Sequence, residues 1–105
     1  MQRNNIGWNE IVKKEARGLN DFSLGEVQSV GQTFIVTEKG TLSKKSYYLP
    51  KYLVKGYDGH HLWFNVTETQ AETEFKRSTP PNPEEYYRYR TPNVPSDVEN
   101  WVPSL

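Results

Sequence analysis

The run Lys55-Gly56-Tyr57-Asp58-Gly59-His60-His61-Leu62-Trp63-Phe64-Asn65-Val66-Thr67-Glu68-Thr69-Gln70 decides the fold class. Asp58-Gly59 is a two-residue hairpin signal, because a type I′ turn needs positive φ at both central residues. From His60 to Val66 the side chains alternate. Leu62, Phe64 and Val66 fall on one face, and His61, Trp63 and Asn65 on the other, which is the period of a strand. Thr67 followed by Gln70 is a capping box that opens a short helix reaching about Arg77. Ala71 and Phe75 stand four apart on that helix and would dock it.

Reading back toward the N-terminus, Lys45 to Leu49 is the preceding strand. It ends at Pro50, which has no N–H to give to a ladder. Tyr52-Leu53-Val54 is a short turn or 3₁₀ segment. Gln32 to Glu38 is the clearest strand, with Phe34 and Val36 on one face and Ile35 and Thr37 on the other. Leu24 to Val30 is another strand, in which Gly25 marks a bulge or a close approach. Asn20-Asp21 supplies turn chemistry, and Ile11 to Arg17 reads as the first strand. Five to six short strands at close spacing, plus a short C-terminal helix, predict a mainly β domain folded as a small barrel or roll over residues 6–77.

After Arg77 the composition changes. Pro80, Pro81, Pro83, Pro92, Pro95 and Pro103 punctuate residues 78–105. This predicts a flexible, proline-rich tail outside the core. Within it, Ser96 and Glu99 form a capping-box pattern for a short helix over 96–102. Val98, Trp101, Val102 and Leu105 fall at i, i+3, i+4 and i+7 on one apolar face. So short a helix is unstable alone, and its face needs a groove on this domain, on a second copy or on another protein.

The chain has 105 residues, too few for more than one domain, and its mean hydropathy of −0.86 is that of a polar chain with a thin core. Much of the apolar area is aromatic: 7 Tyr, 4 Phe and 3 Trp. Charge is balanced at 13 basic and 13 acidic residues, unlike a general nucleic-acid coat protein, which needs excess positive charge. With no cysteine there can be no disulfide, no thiolate metal site and no cysteine nucleophile, in keeping with a cytoplasmic setting. The first residues lack the apolar core of a signal peptide, and no run approaches the ~20 residues of a membrane span.

The run Asn20-Asp21-Phe22-Ser23-Leu24-Gly25-Glu26-Val27 resembles a turn and second strand of the form D-G-x-x-(L/V)-G-x-V. Tyr47-Tyr48-Leu49-Pro50-Lys51-Tyr52-Leu53-Val54 is similar to an h-Y-I-P-x-x-W-V element. Asp58-Gly59-x-x-Leu62 is similar to a D-G-x-x-V-x-L hairpin, and Glu68-Thr69-Gln70-Ala71 to a (T/S)-x-E-E-A helix start. In this order they resemble the PRC-barrel superfamily, and within it small prokaryotic domains of unknown function. Phe22 departs from the pattern, standing where the family often has Gly. The resemblance spans about residues 10–76 and implies an SH3-like β-barrel. Members serve as adaptors, in a photosynthetic reaction-centre subunit, a ribosome-maturation factor and archaeal proteins linked to cell division. It implies no shared active site, and fold alone does not assign function.

No catalytic constellation is present: there is no phosphate loop, nucleophile elbow or triad pattern. His60 and His61 are adjacent on a strand, so they point to opposite faces and do not share a metal ion. Glu68, Glu72 and Glu74 read as a solvated helix face. The expected function is that of a non-catalytic interaction module without cofactor. It would bind a protein partner through the barrel surface and through Val98, Trp101, Val102 and Leu105. The alternative is nucleic-acid binding through Lys44, Lys45, Tyr47, Lys51 and Lys55 together with Tyr86, Arg88 and Arg90, where lysines meet phosphates and tyrosines stack on bases. The competing reading of the lysines is protection of a sheet edge. An exposed edge or an exchanged tail would also permit a dimer.

Overall fold

The computed structural model describes residues 7–89. Six strands form one sheet: β1 (Glu15–Arg17), β2 (Ser23–Val30), β3 (Phe34–Lys39), β4 (Lys45–Pro50), β5 (Val54–Tyr57) and β6 (His61–Phe64). The order across the sheet is β4-β3-β2-β1-β6-β5. All neighbours are antiparallel except β1 and β6, which run parallel. The sheet is open, with β4 and β5 at its two edges, and a single 3₁₀ turn, Lys51–Leu53, joins those edges in sequence.

The mainly β class and the short helix agree with the sequence reading. The helix α1 (Glu68–Gln70) continues as a π-helical turn, Ala71–Phe75. Both halves of the expected capping box form: the Gln70 N–H donates to Thr67 Oγ1 at 3.1 Å and the Thr67 N–H to Gln70 Oε1 at 3.1 Å. Ala71 and Phe75 are fully buried, as their spacing requires.

Alternation sets the core. Ile35 and Thr37 of β3, Tyr47 and Leu49 of β4, and Leu62 and Phe64 of β6 are all buried. The buried Thr37 hydroxyl is satisfied by donating to the Leu24 carbonyl at 2.6 Å. Gly25 has φ +92°, and a Cβ placed there would lie 2.4 Å from the Glu38 carbonyl oxygen. The neighbouring strand can approach only because that atom is missing.

Three details differ from expectation. The first strand is confined to Glu15–Arg17, because the chain turns at Ile11–Lys14 with Lys13 at φ 73°. Ile11 is nonetheless fully buried, so its apolar character reflects a packed turn and not a strand. The hairpin turn between β5 and β6 is not type I′, since positive φ falls on Gly59 (94°) but not on Asp58 or His60. That is the pattern of type II′, with glycine at the first central position. Asp58 instead caps the turn, accepting the His60 and His61 N–H groups at 2.8 and 2.7 Å and the Trp63 indole N–H at 2.9 Å. These donors hold the Asp58 carboxyl far below the usual range, with the Trp63 bond the largest contributor.

The third difference concerns the segment beyond residue 77. Pro83–Tyr89 is a 3₁₀ segment packed against the sheet, and Tyr86 belongs to the core at 2% exposure. Its ring meets Phe34, Phe75 and Tyr89 edge-on, with centroids 6.2, 5.9 and 5.5 Å away. Its hydroxyl donates to the Tyr48 carbonyl at 2.6 Å, and the Thr33 hydroxyl donates to the Pro83 carbonyl. Proline is tolerated at the first position of a helical turn, so Pro83 opens the 3₁₀ segment that lays the aromatic rings on the sheet. Within the described part of the expected tail, Tyr86 is therefore a core residue and Tyr89 packs against it, while most of their neighbours stay exposed. Residues 90–105, with the expected helix over 96–102, lie outside the described residues.

Candidate functional site

A cleft of about 520 Å3 opens beside β4, lined by Lys44, Lys45, Ser46, Lys76, Arg77 and Ser78. Local pairing creates it. Tyr47 of β4 bridges to Lys76, and the Arg77 N–H donates to the Ser46 carbonyl at 3.0 Å. The chain leaving the π-helical turn thus lies along the sheet edge. Two dibasic pairs distant in sequence, Lys44-Lys45 and Lys76-Arg77, face one opening.

The cations are matched by carboxylates around the cleft. Lys44 lies 3.5 Å from Glu38, Lys45 and Lys76 lie 3.6 and 3.1 Å from one oxygen of Glu72, and Arg77 lies 3.0 Å from Glu85. Four cations share three carboxylates, so the opening keeps a positive excess. These pairs are substantially exposed, and such pairs contribute little to stability, so they exchange readily. Glu72 also accepts the Tyr47 hydroxyl proton in a short hydrogen bond. That bond, then Lys76 and Lys45, hold the Glu72 carboxyl below its ordinary range. Burial, reinforced by Glu72, pushes the Tyr47 phenol well above its own. The Arg77–Glu85 pair, with the Asn82 N–H on the same carboxylate, draws the Glu85 carboxyl down and ties the 3₁₀ segment to the cleft wall.

The residues singled out for nucleic-acid binding scatter. Lys44 and Lys45 line the cleft. Tyr47 and Tyr86 are buried at 0% and 2% exposure, so neither presents a ring for a base to stack on. Burial also pushes the Tyr86 phenol up to about 12. Lys51 is buried too. Its ammonium lies 4.4 Å from the centre of the Trp8 ring and donates to the Gly31 carbonyl at 3.2 Å, and desolvation brings its pKa down to about 8. It is a packing lysine, not a phosphate contact. Lys55 is exposed on β5, and Arg88 is exposed beside the Tyr89 ring, 5.0 Å from its centre. Neither lines the cleft. Arg90, and the apolar set Val98, Trp101, Val102 and Leu105, lie outside the described residues.

Lys76, Arg77, Ser46 and Ser78 were absent from the sequence-derived sites. A signal did exist: Lys76-Arg77 closes the helix that Ala71 and Phe75 dock, and docking brings that end to the sheet. Which strand it meets is a tertiary fact. Among the described residues no three His, Cys, Asp or Glu side chains are grouped to hold a metal ion, and no helix is long and apolar enough to cross a membrane. No protein-family model matches this chain, and no curated protein matches it.

Proposed function

We propose that this chain is a non-catalytic interaction module of the PRC-barrel type, acting in the cytoplasm and binding a protein partner through its sheet surface and C-terminal segment. The observation that carries this reading is the strand order β4-β3-β2-β1-β6-β5, whose edge strands are consecutive in the chain and separated only by Lys51–Leu53. The chain passes from one edge of the sheet to the opposite edge through that 3₁₀ turn, which supports reading it as a small SH3-like roll. Residues of the motifs similar to the PRC-barrel pattern fall on its turns and at a close strand approach: Asn20-Asp21 at φ 60° and 61°, Asp58-Gly59 at the β5–β6 hairpin, and Gly25 within β2. Many surface polar residues are ion-paired or capping groups, and a cationic opening lies beside β4.

The test is affinity capture by the full chain after nuclease treatment, with proteins quantified against a Trp101→Ala/Val102→Ala variant of unchanged circular dichroism. A protein retained after nuclease and depleted by the variant supports the module. Recovery of no protein above background, or equal recovery by the variant, refutes it.

A further inference from the structure

The cleft beside β4 brings two dibasic pairs to one opening with two serines, Ser46 and Ser78, on its walls. Its charge pattern selects among anions. Each cation already faces a carboxylate, and Lys45 and Lys76 divide a single oxygen of Glu72. A ligand carboxylate would replace one monoanion by another and gain little. A phosphoryl group brings about −2 charge and three acceptor oxygens to one point. It can span Lys45 and Lys76 together and still present two oxygens to the Arg77 fork, the geometry in which arginine exceeds lysine. Glu72 stays anchored by Tyr47 while the long lysine side chains, roughly half exposed, swing toward the ligand.

Nucleic acid supplies phosphates as well, but it asks for more than one opening. A strand needs cations in a track and rings on which bases stack. Here Lys55 and Arg88 lie away from the cleft, and Tyr47 and Tyr86 are sealed in the core. The positive charge converges instead of extending.

Resting on the reading of the chain as a protein-binding module, we infer that the cleft of Lys44, Lys45, Lys76 and Arg77 receives a phosphorylated side chain of the partner protein. Ser46 and Ser78 supply further hydroxyl donors. The partner's flanking residues lie on the surface around the opening, since the outward carbonyls of Ser46 and Tyr48 on the β4 edge are already taken by Arg77 and Tyr86.

The experiment immobilises the full chain and passes over it a degenerate peptide library centred on phosphoserine. The same library carrying serine, the same library carrying glutamate, and a mixed-sequence single-stranded oligonucleotide follow, at low and at physiological salt. The phosphoserine pool is retained at least about tenfold more than the other three, with a preference in the flanking positions. Lys45→Gln/Lys76→Gln loses that retention, Arg77→Gln reduces it, and Lys55→Gln leaves it intact, all with unchanged circular dichroism. Equal retention of the glutamate pool overturns the inference, as does stronger retention of the oligonucleotide. Retention without flanking preference also overturns it, because the cleft then takes phosphate from any source. If the double variant still captures the protein partner of the full chain, the cleft assignment fails while the module reading stands. If no protein is captured by any form, the module reading itself fails.

Discussion

Replacing Tyr86 with alanine separates a tail from a core element. Tyr86 is 2% exposed, touches the rings of Phe34, Phe75 and Tyr89, and donates its hydroxyl to the Tyr48 carbonyl. Truncating a large buried aromatic costs about 3–5 kcal/mol through lost transfer energy and the cavity left behind. Aromatic pairs add about 0.5–1.5 kcal/mol each beyond area, and losing the hydroxyl bond leaves a carbonyl unpaired at about 1 kcal/mol. These terms overlap, so we expect Tyr86→Ala to lose about 3–5 kcal/mol and Tyr86→Phe about 1 kcal/mol. In a small domain of roughly 5–10 kcal/mol the alanine variant loses a large share of its stability. Urea unfolding followed by far-ultraviolet circular dichroism reads both values. A Tyr86→Ala loss below about 1 kcal/mol, the level of a surface substitution, would refute the assignment of residues 83–89 to the core.

Lys51 has its pKa lowered from 10.5 to about 8 by burial, so its contribution is present above the unfolded value and lost as pH falls toward 8. Wild type should therefore gain up to about 3 kcal/mol relative to Lys51→Met between pH 8 and 10.5, a difference read by urea titrations of both forms; parallel stability curves would count against the buried ammonium. Tyr86 shifts the other way, from 10 to about 12, so its contribution is complete below 10 and declines as pH rises toward 12. Tyr86→Phe should flatten that alkaline decline, and an unchanged profile would contradict burial of the phenol. Gly25→Ala places a Cβ 2.4 Å from the Glu38 carbonyl at φ +92° and should destabilise by about 2–4 kcal/mol; a neutral result in thermal melts would mean that the strands do not approach as described. Thr67→Ala should lose about 1 kcal/mol, and adding Gln70→Ala should cost less than the sum of the single changes, because the two side chains form one reciprocal cap.

Local signals carried most of the fold. Capping at Thr67 and Gln70, the alternation along β3 and β6 and the left-handed Asn20-Asp21 depend on neighbours close in sequence, and each is readable from residue type; Gly25 signals a close approach by its missing side chain, although the atom it meets, the Glu38 carbonyl oxygen, belongs to the next strand. The errors arose where tertiary contact decides. Ile11 looks like strand residue because a packed turn and a strand both need an apolar side chain. Lys51 looks like a surface cation, and nothing in Pro50-Lys51-Tyr52 announces that Trp8 covers it. The segment Tyr86-Tyr87-Arg88-Tyr89 was placed after the domain because prolines precede it. Its partners Phe34 and Tyr48 lie some forty to fifty positions away, beyond the reach of any local pattern. The candidate site was half legible: Lys44 and Lys45 were named, whereas Lys76 and Arg77 join them only through the bridge between β4 and the end of the π-helical turn.

Lysine-directed cross-linking of the full chain in a lysate of its native cells, followed by mass spectrometry, bears most directly on the claim that this is a protein-binding module with its cleft beside β4. The account predicts links to one partner protein, concentrated at Lys44, Lys45 and Lys76 and depleted at the buried Lys51. Links spread evenly over the exposed lysines with no recurring protein, or protection of Lys44, Lys45 and Lys76 by nucleic acid, would contradict it.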